Sequence, residues 1–423
     1  MLREISMPAL QMELPGRQTA RDERPAAAGG AMRAHQLSEY ALSSSFSTDA
    51  GCRESFVAIQ TRPGVRFKEA LEELSREYGA ALATEGLSDA TVVFSRLYVS
   101  DYVNQAEALN ASEFLESLRR GALSIIEQKP VGGGQFSLFS YHIRRRAGAT
   151  FTKQITRNPA DCRNSVLASL ENYRLLFTTN YAQGEPYDSY NQTNDIFNAL
   201  NVTIEQSGMN LLANTIRTWI FVRDIDNNYK DMVRARKEYF TSQGLTNKTR
   251  YLASTGIQGC GVSSAHIVTV DSLSIGGLSK GQIIRIEAPS HLSPTILYNV
   301  TFERGLRVRF GDRSHLYISG TASINNKGEV LHPGDVEMQT RRTVENLRAL
   351  LANHGATVQD LGYLMVYMRD SQEWELVRRV LRDEIGETTP LISFEARVCR
   401  PAWLFEMEGV AVIPDETDFL PFV

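Results

Sequence analysis

The chain has 423 residues, 42% of them hydrophobic and 22% charged, with a net charge of −4. This is the composition of a folded globular protein longer than one average domain, and the lack of a basic excess argues against nucleic acid as the main partner. Cys52, Cys162, Cys260 and Cys399 lie far apart without a CxxC, and the seven histidines form neither HxH nor HExxH; no disulfide framework, metal site or cofactor is expected.

Residues 1–50 hold the small and polar runs AAAGGA and ALSSSFS, which read as an N-terminal tail. The first residues lack the apolar core of a signal peptide, and no apolar run approaches the roughly 20 residues of a membrane span. A cytoplasmic protein without a membrane partner is the expectation. From residue 51 one unit recurs. An amphipathic helix comes first: Phe67, Leu71, Leu74 and Tyr78 share a face, as do Phe197, Leu200 and Ile204, and Val344, Leu347 and Leu351. An aromatic-rich strand ending in Asp follows, as RLYVSD to Asp101, WIFVRD to Asp224 and MVYMRD to Asp370. Each Asp precedes a helical stretch and suits a turn or an N-cap.

Each unit closes with a further strand, at 134–143, 264–273 and 404–412. The repeat predicts an α+β protein of three tandem modules, 51–150, 160–290 and 300–423, assembled into a compact body with pseudo-threefold symmetry. Lys280 to Asp312 does not fit the repeat and reads as a β-rich connector carrying Arg285, Arg304, Arg307 and Arg309. Among the closing strands only LFEMEGVAV carries paired carboxylates, Glu406 and Glu408. Strand alternation puts both on one face, either a solvated stripe or a cleft. The stretch Thr255-Gly256-Ile257-Gln258-Gly259 is a turn or a place where backbone approaches a ligand.

Module three resembles the RidA/YjgF family in its Ser319-Gly320-Thr321-Ala322 block, its helix Gln339 to Leu351, VYMRD and FEMEGVAV. Members of that family are trimers of a chorismate-mutase-like α+β fold with sites between subunits, which implies a pseudo-trimer here. The arginine used by its imine deaminases stands fifteen residues before the first closing-strand glutamate; Leu391 occupies that place, so simple imine deamination is not expected. A longer resemblance, through RTWIFVRDIDNNY, YLASTGIQGCG, LYISGTASI and ARVCRPAWLFEMEG, is to the chorismatases. These remove pyruvate from chorismate to give a dihydroxycyclohexadiene acid or a hydroxybenzoate. It implies that Glu406 is the general acid and that Arg217 and Arg369 bind substrate; Thr255, Gly256, Ser319, Gly320 and Thr321 are the further binding candidates, and Glu408 is the second catalytic candidate, whose like charge would raise Glu406. One departure is clear. The family's YGPR-like segment is replaced by Tyr298-Asn299-Val300-Thr301, and Arg304, three residues on, is the substitute expected for its arginine.

The chemistry agrees with such a set. Cleaving an enol ether needs a proton for the vinyl carbon, hence a carboxylic acid still protonated near neutrality. A dianionic substrate needs two cationic grips, and arginine's fork suits carboxylates. The expected partner is a small anionic substrate, with self-association left open. The competing expectation is a non-catalytic or regulatory protein that binds a small metabolite in the same cleft.

Overall fold

The computed structural model describes residues 30–158, 163–295 and 301–423. Module one opens with β1 (Arg33–Gln36), β2 (Ala41–Phe46) and β3 (Arg53–Gln60), then α1 (Phe67–Glu85) and β4 (Val92–Val99). It continues through α2 (Tyr102–Asn110), α3 (Glu113–Leu118), β5 (Ala122–Glu127), the short β6 (Lys129–Pro130) and β7 (Phe136–Arg144). Module two runs β8 (Phe151–Arg157), β9 (Asn164–Leu170), β10 (Arg174–Ala182), α4 (Ser189–Gln206), α5 (Leu211–Asn214) and β11 (Thr215–Val222). It ends with α6 (Ile225–Ser242), β12 (Ala253–Gln258) and β13 (Val268–Gly276). Module three runs β14 (Ile283–Arg285), β15 (Gly305–Arg309), β16 (Arg313–Ala322), α7 (Val336–Ala352) and β17 (Leu361–Met368). It ends with α8 (Trp374–Ile385), β18 (Leu391–Glu395) and β19 (Phe405–Pro414).

The three sheets share one topology: β1-β2-β3-β7-β4-β5, then β8-β9-β10-β13-β11-β12, then β14-β15-β16-β19-β17-β18 with β6 added at the edge. In each, the closing strand lies in the middle and the last two strands pair in parallel across a helical crossover. Two expectations change. Within the expected tail, residues 33–46 form β1 and β2 of module one; residues 1–29 lie outside the described residues. The expected connector supplies the first strands of module three: β14 pairs with β15, and β15 with β16.

The aromatic strands have no solvent face. On β11, Ile220 and Val222 pack with α4 and α6, while Trp219 and Phe221 point to the common interior. On β17, Leu364, Val366 and Met368 pack under α7 and α8, while Tyr363, Met365 and Tyr367 point inward. The inner faces of the three sheets thus form one core, and rings meet across the modules: Phe94 with Phe177 at 5.1 Å, Phe139 with Tyr363 at 4.3 Å, Tyr98 with Phe394 at 3.9 Å. The helical stripes pack as expected, with Leu74, Leu200 and Leu347 fully buried. Asp101 and Asp370 cap the helical turns that follow them, whereas Asp224 sits in a left-handed turn at φ 45°.

Candidate active site

β12 is the edge strand of its sheet, and module three covers it. Ser254 donates its N–H to Ser319 Oγ at 2.9 Å, and Thr255 Oγ1 accepts the Gly320 N–H at 2.9 Å. Beyond this seam the two modules part to form a cleft. Its walls come from α6, β12, β16, β19, and the loop Cys399–Trp403.

β19 turns Phe405 and Met407 towards the helices, so Glu406 and Glu408 face the shared interior. The reading as a solvated stripe is therefore corrected: the two are 5% and 1% exposed. They have different surroundings. Glu408 is held by the guanidinium of Arg217 and by the Tyr367 hydroxyl, which donates to it at 3.1 Å. Glu406 opens onto the cleft beside Arg304. Burial, followed by the charge of Glu408, pushes Glu406 up to about 8 against the opposing pull of Arg217 and Arg304. Gly320 makes room for it, since a Cβ there would come within 2.1 Å of Glu406 Oε1.

The structure brings together Glu406, Arg304, Thr255, Gly256 and Gly320 on one cleft. Four other expected binding residues make contacts within the fold. Arg217 is spent on Glu408 and on Thr255 Oγ1, to which it donates at 2.6 Å. Arg369 pairs with Asp226 at 2.6 Å and donates to Val398 O, fastening the start of α6 to module three. The Ser319 hydroxyl donates to Glu303 O at 2.6 Å, and that of Thr321 to Ser319 O at 3.0 Å. In each case a neighbour in the fold engages the polar group, although Arg217 Nη1 and Arg369 Nε stay buried without a hydrogen-bond partner. Glu408 anchors Arg217, and its charge raises the pKa of Glu406.

Arg304 is 7% exposed and donates to Ser293 O at 3.1 Å. The remaining arginines of its segment serve ion pairs, Arg285 with Glu303, and Arg307 and Arg309 with Asp415. Tyr298, Asn299 and Val300 lie outside the described residues. Sequence reasoning missed Tyr229, Arg236, Cys399, Arg400 and Trp403, which also line the cleft. The last three lie inside the block ARVCRPAW, and Arg236 stands on the apolar face of α6 with Tyr229 and Met232, a spacing that marks an arginine aimed inward.

Residues 308–413 match the family described as Endoribonuclease L-PSP. The C-terminal module is a RidA/YjgF (L-PSP) domain. A longer stretch is similar to two streptomycete proteins. It is 26% identical over 228 residues to the 3-hydroxybenzoate synthase of Streptomyces hygroscopicus, covering 47% of this chain and 64% of that protein. It is 24% identical over 222 residues to the chorismatase of Streptomyces rapamycinicus, covering 46% and 63%. The matches therefore span a little under two thirds of the length of these relatives. A crystal structure of a chorismatase superimposes on 84% of this chain and 98% of its own, with a TM-score of 0.57 at 18% identity. The chain thus has the α+β fold of that structure, with three sheets in the RidA-like arrangement. Among the described residues, no helix is long and apolar enough to cross a membrane.

Proposed function

We propose that the protein is a chorismatase-like enzyme that cleaves the enolpyruvyl ether of chorismate or acts on a related small cyclic carboxylate, with Glu406 as general acid. The observation that carries this reading is the buried carboxyl of Glu406, pushed up to about 8, opening onto a cleft that also presents Arg304. An acid of that strength keeps its proton at neutral pH and can deliver it to the terminal carbon of the vinyl ether. Positive charge then develops on the ether carbon, where the newly formed Glu406 carboxylate stabilises it. Water adds to that carbon and returns a proton to Glu406. The hemiketal collapses to pyruvate and the ring alcohol, so one water is consumed for each C–O bond broken. The similarity to proteins named chorismatase and 3-hydroxybenzoate synthase supports the substrate class.

The competing reading, a metabolite-binding protein without catalysis, calls for a plugged cleft or arginines turned to solvent. Arg304 on the same cleft as Glu406 favours the enzyme. The test is incubation with chorismate and measurement of pyruvate. Wild-type protein is expected to release it, and Glu406→Gln to lower turnover by on the order of 10² or more, the scale of a lost general acid. No pyruvate from the wild type, or full activity in the variant, overturns the proposal.

A further inference from the structure

Arg236 is 2% exposed, yet among the described residues no carboxylate pairs with it. Its Nε donates to Thr301 Oγ1 at 3.2 Å, while Nη2 is buried with no hydrogen-bond partner. Burial pulls its pKa down, and only the weakly acidic Tyr229 and Cys399 act against that. The other deeply buried arginines behave differently. Arg96 holds Asp271 at 2.7 Å, Arg313 holds Glu54 at 2.6 Å, and Arg217 holds Glu408. A buried guanidinium without a counter-charge is costly to keep. In the same cleft the indole N–H of Trp403 is also buried without an acceptor. Two donors from different modules thus lack acceptors at one place, and both line the space that Glu406 faces.

We propose that Arg236 is the anchor for a substrate carboxylate on the module-two wall of the cleft, with the Trp403 N–H donating to an oxygen of the same ligand. The ligand class is a small ring carboxylate, seated so that its reacting end lies against Glu406 on the module-three wall. Arg236 thereby takes the role expected of Arg217, whose charge is already neutralised by Glu408. This deepens the functional reading above and rests on the cleft being a small-anion site.

The test is calorimetric titration of wild type, Arg236→Met and Arg236→Lys with chorismate and with isophthalate, a ring dicarboxylate that has no enol ether. Thermal unfolding of the unliganded proteins accompanies it. Arg236→Met is expected to weaken binding of both ligands about 100-fold, the scale of a lost bidentate charge-assisted contact, and Arg236→Lys to restore part of it. The empty Arg236→Met protein is expected to melt at or above the wild-type temperature, because the substitution removes a charge that has no counter-charge there. Wild-type affinity in Arg236→Met overturns the proposal, as does failure of the wild type to bind either ligand. A fall in the melting temperature of empty Arg236→Met also overturns it, since it reveals a structural arginine. Isophthalate separates the two readings. Binding through Arg236 without pyruvate release from chorismate leaves the anchor standing and removes the enol-ether chemistry. Pyruvate release with unimpaired binding in Arg236→Met does the reverse.

Discussion

Glu406 is a residue on whose proton opposing effects meet. Burial and the charge of Glu408 favour the neutral acid, while Arg217 and Arg304 favour the carboxylate, and the first pair wins. With a pKa of about 8, the acid is present below that pH and lost above it. The turnover rate is therefore expected to fall as pH rises through about 8, and a pH profile of pyruvate release checks this. Glu408→Gln removes the neighbouring charge and should move the limb to lower pH, while harming turnover less than Glu406→Gln. A limb that stays put in Glu408→Gln, or a Glu408 variant more damaged than the Glu406 one, would sink the assignment. The pairing of the two glutamates on one face was legible from strand alternation. Their difference was implied only by the resemblance, because its physical cause depends on Arg217 from a strand 191 residues away in sequence.

Among the elements, β12 shows how an edge strand becomes a wall of the site. An uncovered edge presents unpaired backbone groups and invites association. Here Ala253 and Ile257 make bridges to Glu303 and Val398 of module three, and side-chain hydrogen bonds complete the seam. Thr255 is its centre, accepting from Gly320 N and from Arg217. Thr255→Val keeps the shape and leaves the Gly320 N–H without its acceptor. It is expected to lower stability by about 1–3 kcal/mol, the cost of an unsatisfied buried donor, read from urea unfolding. An unchanged midpoint would show that the seam holds without it. The helices were the most legible elements, since their stripes at 3.6-residue spacing needed no partner to be recognised. The stretch at Lys280 to Asp312 was misread as a connector because β14 is only three residues long and gains its identity by pairing with β15.

At the scale of the whole molecule, the pseudo-threefold places one deeply buried arginine–carboxylate pair at each module boundary: Arg96–Asp271, Arg217–Glu408 and Arg313–Glu54. The third belongs to a network in which Glu54 also meets His315 at 2.9 Å and accepts from the Tyr141 hydroxyl at 2.5 Å. Burial would raise the Glu54 carboxyl, but His315, Arg313 and Tyr141 overcome it and hold the pKa down at about 2. Because the folded value lies below the ordinary 4.5, this stabilisation is fully present above pH 4.5 and is lost as pH falls through about 2. Glu54→Ala breaks the Arg313 pair that joins modules one and three, leaving Arg313 with Asp312 of its own module, and is expected to cost about 3–5 kcal/mol, the scale for breaking a buried pair. Thermal unfolding across acid pH checks both statements: the variant should melt lower and lose part of the wild type's acid sensitivity. A variant with wild-type stability at neutral pH would show that the ring packing alone holds this boundary.

The sequence by itself determined the repeat, the helix faces, the closing strands and the pairing of Glu406 with Glu408, because each follows from periodicity within a few neighbouring residues. It also named Arg217, Arg304 and Arg369 as cations of interest. Only the tertiary structure decided which cation faces the cleft. Arg217 and Arg369 found carboxylates on another module, Glu408 and Asp226, whereas Arg304 and the unnoticed Arg236 turned towards Glu406. Which carboxylate lies within a few ångströms of a cation is set by how the three sheets face one another, which local spacing does not encode.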